Sequence, residues 1–238
     1  MCTVTYLPNE KNEYLFTSNR DEFKGRSASK LVLEKKFGKK LVYPQDALAK
    51  GTWIAIADSN QLVCILNGAF IKHAHVPPYR LSRGLMAIEF FKYNDAPDFF
   101  QHFDFTGIEP FTMVINDRGR LYDFRWDESK KHIQQKDAAR PHIWASCTLY
   151  SPEWQNKRVD WFDKWKQKNP SPTREAILDF HTNAGEGDLE YDIVMNIGDR
   201  VQTTSITSVL KSNTEMDLRF ENLVDSKIKK STLRIDPY

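Results

Sequence analysis

A cysteine stands directly after the initiator methionine, at position 2 of the 238-residue chain. Initiator methionine is generally removed when the next side chain is small, and cysteine is small. Removal would leave Cys2 with a thiol and a free α-amine, whose unperturbed pKa values lie near ~8.5 and ~7.7–8.0. One residue would then carry both a nucleophile and the base that activates it. The alternative is that Cys2 is an ordinary second residue with an inert thiol.

A polar tetrad that closes an apolar segment is the second candidate, Asn19-Arg20-Asp21-Glu22. A predicted turn centred near residue 10 folds this segment back on the one that carries Cys2, so residues around 18–20 come opposite Cys2. An arginine there would favour the thiolate, and an aspartate could hold the α-amine. Taken alone, such a tetrad is more often a solvated ion pair in a loop.

A third candidate is Asn67, between Leu66 and Gly68 at the end of another apolar segment. An asparagine amide, together with backbone N–H groups near a glycine, can donate hydrogen bonds to a developing oxyanion. Asparagine is also common in ordinary turns, which is the alternative. His73 and His75 have H-x-H spacing, but two histidines alone make an incomplete metal site. We interpret these histidines as part of a polar loop.

The cysteines Cys2, Cys64 and Cys147 are odd in number and widely spaced. This usage argues against a disulfide framework and favours a reducing compartment. No pair has C-x-x-C spacing, and we predict neither a metal site nor a cofactor. The N-terminus lacks a basic region followed by an apolar stretch, and no apolar run approaches the ~20 residues of a membrane helix. We therefore predict a cytoplasmic protein without a membrane span, with Cys64 in the core.

The composition is that of an ordinary folded protein, with 40% hydrophobic, 28% charged and 13% aromatic residues. Lys and Arg number 34 and Asp and Glu 32, which gives a net charge of +2. This near-neutral balance gives no electrostatic case for nucleic acid as a partner. A small-molecule amide or a hydrophobic ligand is the expected partner, and formation of a homo-oligomer stays open. No linker or internal repeat divides the sequence, so we expect a single domain over residues 1–238.

Hairpins dominate the predicted secondary structure. Pairs of β-rich segments joined by turn residues are predicted at 3–7 with 14–18, 52–57 with 61–66, and 111–115 with 121–126. The strand pattern returns at 201–209 and at 216–223. Because local strand pairing of this kind gives antiparallel ladders, we expect antiparallel sheets.

Helices are predicted between and after these hairpins. An apolar stripe with helical spacing is formed by Leu81, Leu85, Ile88 and Phe91. Ser151 and Ser171, each followed by a proline, are typical helix starts. The apolar face of the helix after Ser151 would consist of Trp154, Val159, Trp161, Phe162 and Trp165. Helices inserted as blocks between hairpins favour an α+β fold over strict β-α-β alternation.

With these residues assembled, the sequence resembles the NRDE family, also called the transport-and-Golgi-organisation family. The motifs that carry the resemblance are Met1-Cys2-Thr3, residues 17–22 with the Asn-Arg-Asp-Glu tetrad, residues 51–55, Arg80, and Ser82-Arg83-Gly84. The resemblance is specific from Met1 to about Gly84 and continues weakly to about Val209.

The opening of the chain is also similar to N-terminal nucleophile hydrolases of the choloylglycine hydrolase and penicillin V acylase type. That resemblance implies a four-layer αββα sandwich of antiparallel sheets. It further implies Cys2 as the nucleophile, Arg20 and Asp21 as supports of its thiol and amine, and Asn67 as the oxyanion donor.

The same resemblance suggests supporting positions. These hydrolases use a further asparagine in mid-chain, and the nearest candidate here is Cys147. They also use a late arginine, for which Arg200 is the nearest candidate. Asn19 and Glu22, the outer members of the tetrad, are further supporting residues.

Two functions of different classes remain open. The first is a hydrolase that cleaves a linear amide C–N bond through Cys2 after removal of Met1. The second is a non-catalytic binding protein or chaperone for a hydrophobic small molecule such as haem or a lipid derivative. The 15 Phe, 9 Tyr and 6 Trp residues would suit an apolar pocket, with cysteine and histidine as axial ligands of haem. A protein–protein scaffold is a third reading, for which exposed aromatic residues would be needed.

Overall fold

The computed structural model describes residues 2–9, 13–28, 30–198 and 200–236. Met1 and the side chain of Cys2, on which the prediction of the nucleophile depends, lie outside the described part. The backbone of Cys2 is the first residue of a strand.

Within the described residues the chain forms fourteen strands and four α-helices, together with two short 3-10 helices. The strands are β1 (Cys2–Pro8), β2 (Tyr14–Glu22), β3 (Leu31–Lys36), β4 (Lys39–Pro44), β5 (Ile54–Ala57), β6 (Gln61–Asn67), β7 (Phe111–Asp117), β8 (Arg120–Trp126), β9 (Lys131–Lys136), β10 (His142–Ala145), β11 (Asn196–Ile197), β12 (Val201–Lys211), β13 (Glu215–Asn222) and β14 (Lys227–Arg234). The α-helices are α1 (Arg83–Glu89), α2 (Ala96–His102), α3 (Pro152–Lys168) and α4 (Arg174–Asn183). The 3-10 helices are Lys24–Arg26 and Phe90–Lys92.

The strands form two antiparallel sheets. The first sheet has the order β10-β1-β2-β12-β13-β14, with β11 paired to β12. The second sheet has the order β3-β4-β5-β6-β7-β8-β9, so each strand pairs with its neighbour in the chain. All three predicted hairpins are confirmed as β1–β2, β5–β6 and β7–β8.

Three apolar clusters hold four layers together. Side chains such as Phe16 from the first sheet and Ile54 from the second form the core between the sheets. The outer face of the second sheet packs on α1 and α2 through a phenylalanine-rich cluster around Phe99. The outer face of the first sheet packs on α3 and α4 through Leu15 and Phe162. The order helices, sheet, sheet, helices is the predicted αββα sandwich, so this prediction is confirmed.

The helix starts are partly as predicted. The Ser151 side chain accepts a hydrogen bond from the N–H of Trp154, which confirms the cap of α3. The cap of α4 is Thr173, so the prediction of Ser171 was wrong. Val159 is 41% exposed and does not belong to the apolar face of α3. At about 100° per residue it lies about 160° around the helix axis from Trp161. No helix among the described residues is long and apolar enough to cross a membrane.

Candidate active site

The side chains of the tetrad alternate between the two faces of the first sheet, as neighbours in a strand do. Arg20 and Glu22 border a pocket. Asn19 and Asp21 point the other way, toward the layer that contains α3 and α4. The ladder between β1 and β2 pairs Cys2 with Arg20, which confirms the predicted register. The tetrad therefore serves the pocket with two of its residues and anchors the opposite face with the other two.

The pocket beside Arg20 has a volume of about 460 Å³, within the usual range of small-molecule sites. Asn67, at the end of β6, and Trp53 are among its lining residues. The charged residues of the lining are Arg20, Glu22, Arg26, Asp46, Arg83 and Glu109. Three of the predicted site residues, Arg20, Glu22 and Asn67, thus meet at one cavity.

Arg20 is only 4% exposed, and its guanidinium is firmly held. Its Nη1 donates to the carbonyl oxygen of Arg26 at 2.8 Å, and its Nη2 donates to the Asp46 carboxylate. The guanidinium carbon lies 4.2 Å from the ring centroid of Trp53, a cation–π contact. Glu22 Oε2 is 3.8 Å from Nη2. These contacts fix a positive charge at the pocket wall, level with the start of β1.

Asp46, in the loop between β4 and β5, orients two arginines. Its Oδ1 accepts from the backbone N–H groups of Leu48 at 2.9 Å and Ala49 at 2.8 Å. Its Oδ2 accepts from Arg26 Nε at 3.1 Å as well as from Arg20. Burial alone would raise the pKa of the Asp46 carboxyl, but the Ala49 N–H and the two guanidinium groups outweigh burial and lower this pKa. Asp46 is therefore held ionised between Arg20 and Arg26.

Asn67 is placed by a turn that requires glycine. Gly68 has a φ of +80°, and a Cβ at this position would lie 2.5 Å from Cys147 Sγ. The Gly68 N–H donates to the carbonyl oxygen of Pro110 at 3.0 Å, which fixes the turn. The Asn67 side chain borders the pocket, and no hydrogen bond joins its amide to another described residue. Its N–H donors are available to a ligand in the pocket.

Another wall of the pocket forms where the backbone at Gly51 passes very close to the backbone at Gly84. A Cβ on Gly51 would lie 2.4 Å from the carbonyl carbon of Gly84, and a Cβ on Gly84 would lie 2.9 Å from the oxygen of Thr52. The Thr52 N–H donates to the Gly84 carbonyl at 3.0 Å. Only residues without a side chain permit this approach, which brings the adjacent Arg83 to the pocket.

Glu109 gathers a second charged cluster at the pocket. Its Oε2 lies 2.9 Å from Arg83 Nη2. Its Oε1 lies 3.1 Å from His73 Nε2 and 3.0 Å from His75 Nδ1. Burial would raise the pKa of Glu109, but Arg83 and the two histidines outweigh burial and lower this pKa. Among the residues that the structure describes, no group of three or more His, Cys, Asp or Glu side chains is arranged to hold a metal ion.

Asp21 is fully buried on the face opposite the pocket lining. Its Oδ1 accepts from Thr203 Oγ1 at 2.7 Å, and its Oδ2 accepts from the hydroxyl of Tyr150. The guanidinium carbon of Arg158 lies 3.6 Å from the ring centroid of Tyr150. Burial raises the pKa of Asp21, while the two hydroxyl donors and the charge of Arg158 act against burial. Each oxygen of the Asp21 carboxylate therefore accepts a hydrogen bond, and these bonds fix the orientation of the carboxylate.

Asn19 joins β2 to α4 and to the segment that follows it. Its Nδ2 donates to the carbonyl oxygens of His181 and Ile193, each at 2.9 Å. Its Oδ1 faces His181 Nδ1, and Thr5 Oγ1 lies 2.8 Å from His181 Nε2. Burial lowers the pKa of His181 to about 3, so its ring is neutral. The amide oxygen requires the proton on Nδ1, and Nε2 accepts from the Thr5 hydroxyl.

The other predicted supporting residues lie away from the pocket lining. Cys147 Sγ lies 3.4 Å from the carbonyl oxygen of Ile71 and borders a separate cavity of about 180 Å³. Burial raises the pKa of its thiol. Arg200 is exposed in the turn before β12 and is absent from the described lining of the pocket. Cys64 is fully buried, which confirms its predicted place in the core.

Sequence reasoning missed four charged residues of the pocket, namely Arg26, Asp46, Arg83 and Glu109. A signal existed only for Arg83, which stands between Ser82 and Gly84 in one of the motifs that carry the family resemblance. The others lie in or near loops, and their charge alone does not distinguish them from surface residues.

A family model described as Transport and Golgi organisation 2 matches residues 1–222 of the chain. No match was found among curated proteins.

Solved structures with a similar fold include two crystal structures of conjugated bile acid hydrolase from Clostridium perfringens. One is a variant with arginine changed to leucine; its TM-score is 0.61 at 9% identity, over 100% of this chain and 97% of that chain. The other is a mutant with cysteine changed to alanine; its TM-score is 0.58 at 9% identity, over the same shares. A Caenorhabditis elegans ortholog of N-acylethanolamine-hydrolyzing acid amidase has a TM-score of 0.52 at 10% identity, over 88% of this chain and 92% of that chain. The likeness shows that the fold is that of the N-terminal nucleophile hydrolases.

Proposed function

The chain belongs to the Transport and Golgi organisation 2 family and has the fold of the N-terminal nucleophile hydrolases. We propose that it hydrolyses a linear amide through Cys2. The observation that carries the proposal is the pairing of Cys2 with Arg20 at the edge of the pocket. Residues paired across an antiparallel ladder share one face of the sheet. Arg20 lies on the face of the sheet that borders the pocket, and a nucleophilic thiol at position 2 has to lie on this same face.

The surroundings of position 2 suit an activated thiol. The fixed positive charge of Arg20 favours the thiolate over the neutral thiol. Asp21 follows Arg20 in β2 and so lies level with the amino end of β1, where removal of Met1 would leave the α-amine. Its carboxylate, oriented by Tyr150 and Thr203, is proposed to hold this amine.

The proposed reaction has two stages. The α-amine of Cys2 takes the thiol proton, and the thiolate forms a C–S bond to the amide carbon. The resulting oxyanion accepts a hydrogen bond from the Asn67 amide. The C–N bond then breaks, the proton passes from the ammonium to the leaving nitrogen, and an amine departs. In the second stage water, deprotonated by the α-amine, attacks the thioester, releases the carboxylic acid and restores the thiol.

A hydrolysis assay on a panel of N-acylated amines tests this proposal, with release of free amine as the readout. We expect Cys2→Ala to abolish hydrolysis and Asn67→Ala to lower kcat about 10²–10³-fold, the usual cost of one oxyanion donor. Cys147→Ser, which changes a thiol outside the pocket lining, should leave the rate unchanged. Hydrolysis that survives Cys2→Ala would refute the proposed nucleophile.

A further inference from the structure

Among the described residues, the charged lining of the pocket has hydrogen-bond donors without a partner, whereas every oxygen of its carboxylates already has one. Each of its three carboxylates already receives several donors. Both oxygens of Asp46 and both oxygens of Glu109 have partners. Glu22 Oε1 accepts from the N–H of Phe23, and its Oε2 lies 2.9 Å from Arg26 Nη1. A cationic ligand group would therefore meet no carboxylate that lacks a partner.

Two arginines have the opposite balance. A guanidinium carries five N–H groups. Arg26 directs one N–H from each of its three nitrogens to Asp46 and Glu22, which leaves two among the described contacts. Arg83 donates from Nη1 to the carbonyl oxygen of Pro110 and from Nη2 to Glu109, which leaves three N–H groups without a partner in the described part of the chain. Both side chains line the pocket.

The two guanidinium groups also lie close enough to repel each other. Burial is the main cause that lowers the pKa of Arg83; the charges of Glu109 and Glu22 act against burial, and the charge of Arg26 adds to it. The two residues come from separate parts of the chain, Arg26 from the short helix after β2 and Arg83 from the start of α1. An anion in contact with both cations would gain two attractions, which must exceed its repulsion from the carboxylates of Glu22 and Glu109 that already pair with them.

We propose that the pocket binds a small carboxylate-bearing amide, whose carboxylate is held by Arg26 and Arg83. That the ligand contains an amide rests on the proposed function, whereas binding of its carboxylate does not require catalysis. Planar guanidinium groups match a carboxylate in shape and can donate to both of its oxygens. The apolar lining residues Trp53, Ile65 and Leu81 give room for a short acyl chain beside it.

The same lining disfavours the hydrophobic ligands considered from the sequence. A haem or lipid chain that filled about 460 Å³ would cover six charged side chains and remove them from water. Burying charged groups without replacing their hydration is costly. A small polar ligand that supplies acceptors avoids this cost.

Isothermal titration of the Cys2→Ala protein separates binding from catalysis. N-acetylglycine and its neutral amide, N-acetylglycinamide, are the matched probes, since they differ in the carboxylate. We expect N-acetylglycine to bind at least tenfold more tightly than N-acetylglycinamide. Arg83→Gln and Arg26→Gln should each weaken N-acetylglycine binding at least tenfold, since each removes charge-assisted hydrogen bonds.

Arg140→Gln is the control, because Arg140 is an exposed arginine paired with Asp137 outside the described pocket lining. Equal affinity for the two probes overturns the proposal, as does unchanged binding in both pocket variants when their thermal unfolding matches the parent protein. Absence of N-acetylglycine binding at about 10 mM also overturns it. If the probe binds as expected while the wild-type protein cleaves no amide, the hydrolase proposal fails and the anion site stands.

Discussion

Asn19 and Arg20 are neighbours in the chain, yet they act on opposite faces of the first sheet. The Asn19 amide donates to the carbonyl oxygens of His181 and Ile193 in the helical layer. The Arg20 guanidinium meets Asp46 and Trp53 at the pocket. Asn19 therefore ties the strand to the helical layer, whereas Arg20 borders the pocket.

Asn19→Ala should lower the stability of the fold. The substitution leaves two buried carbonyl oxygens without their donor, at about 1–3 kcal/mol each. We expect the free energy of unfolding to fall by about 2–4 kcal/mol in urea titrations. Asn183→Ala is the control, because Asn183 is an exposed asparagine that donates to Asp179; its cost should stay within about 0.5 kcal/mol. Equal costs for the two variants would contradict the structural role of Asn19.

His181 should make the fold less stable in acid. Its pKa is lowered from 6.5 to about 3 in the folded protein, so the unfolded chain binds a proton that the folded chain does not. Stability from this residue is complete above the unfolded pKa and is lost as the pH falls from about 6.5 toward 3.

Urea titrations of the wild-type protein and His181→Gln between pH 7 and pH 5 measure this effect, since other titrating groups cancel in the difference. The amount by which the free energy of unfolding of the wild-type protein exceeds that of His181→Gln should shrink by up to about 1.4 kcal/mol per pH unit below 6.5. A difference that stays constant with pH would show that His181 titrates in the folded protein much as it does in the unfolded chain.

Gly51→Ala should disturb both the fold and the pocket. Its Cβ would lie 2.4 Å from backbone of Gly84, so the two segments must separate. Overpacking of this kind costs about 1–3 kcal/mol and would displace Arg83. Gly38→Ala provides the contrast, because Gly38 has open space around it and only its φ of +80° is strained.

Both variants should lose stability in urea, Gly38→Ala by about 1–2 kcal/mol from the left-handed backbone alone. Only Gly51→Ala should also weaken N-acetylglycine binding. If both variants bind this probe as the parent does, the close approach of Gly51 to Gly84 does not set the position of Arg83.

The sequence predicted those strands whose pattern is local and apolar. In the strands β1, β2 and β5–β8, apolar residues alternate with polar ones or follow one another without a break, and turn residues join the strands in pairs. These local features are enough to predict the strands. The sequence missed β4, β10 and β11. It also missed β3, β9 and β14, which carry two or three lysines each. All three lie at sheet edges, where lysine protects the open hydrogen-bonding groups from other chains. Such strands form because a neighbour pairs with them, which the local pattern does not show.

The residues of the candidate site likewise divide into those that the local sequence predicts and those that only distant contacts place. The β1–β2 hairpin alone places Cys2 opposite Arg20, so this relationship was predictable. Asp46 and Glu109 reach the pocket only through the packing of the second sheet and its loops, which depends on contacts far apart in the chain. The period of two along β2 does indicate that Asn19 faces away from Arg20, and this signal was available in the sequence.

The state of residue 2 tests the central claim most directly. Mild alkylation at about pH 6, well below the ~8.5 of an ordinary thiol, followed by peptide mapping reports both the N-terminus and the reactivity of each cysteine. Cys64, which is buried, and Cys147, whose pKa is raised by burial, are internal references. We predict that Met1 is absent and that Cys2 is labelled at least tenfold faster than either. Retention of Met1, or labelling of Cys2 no faster than that of Cys147, would contradict an N-terminal cysteine nucleophile.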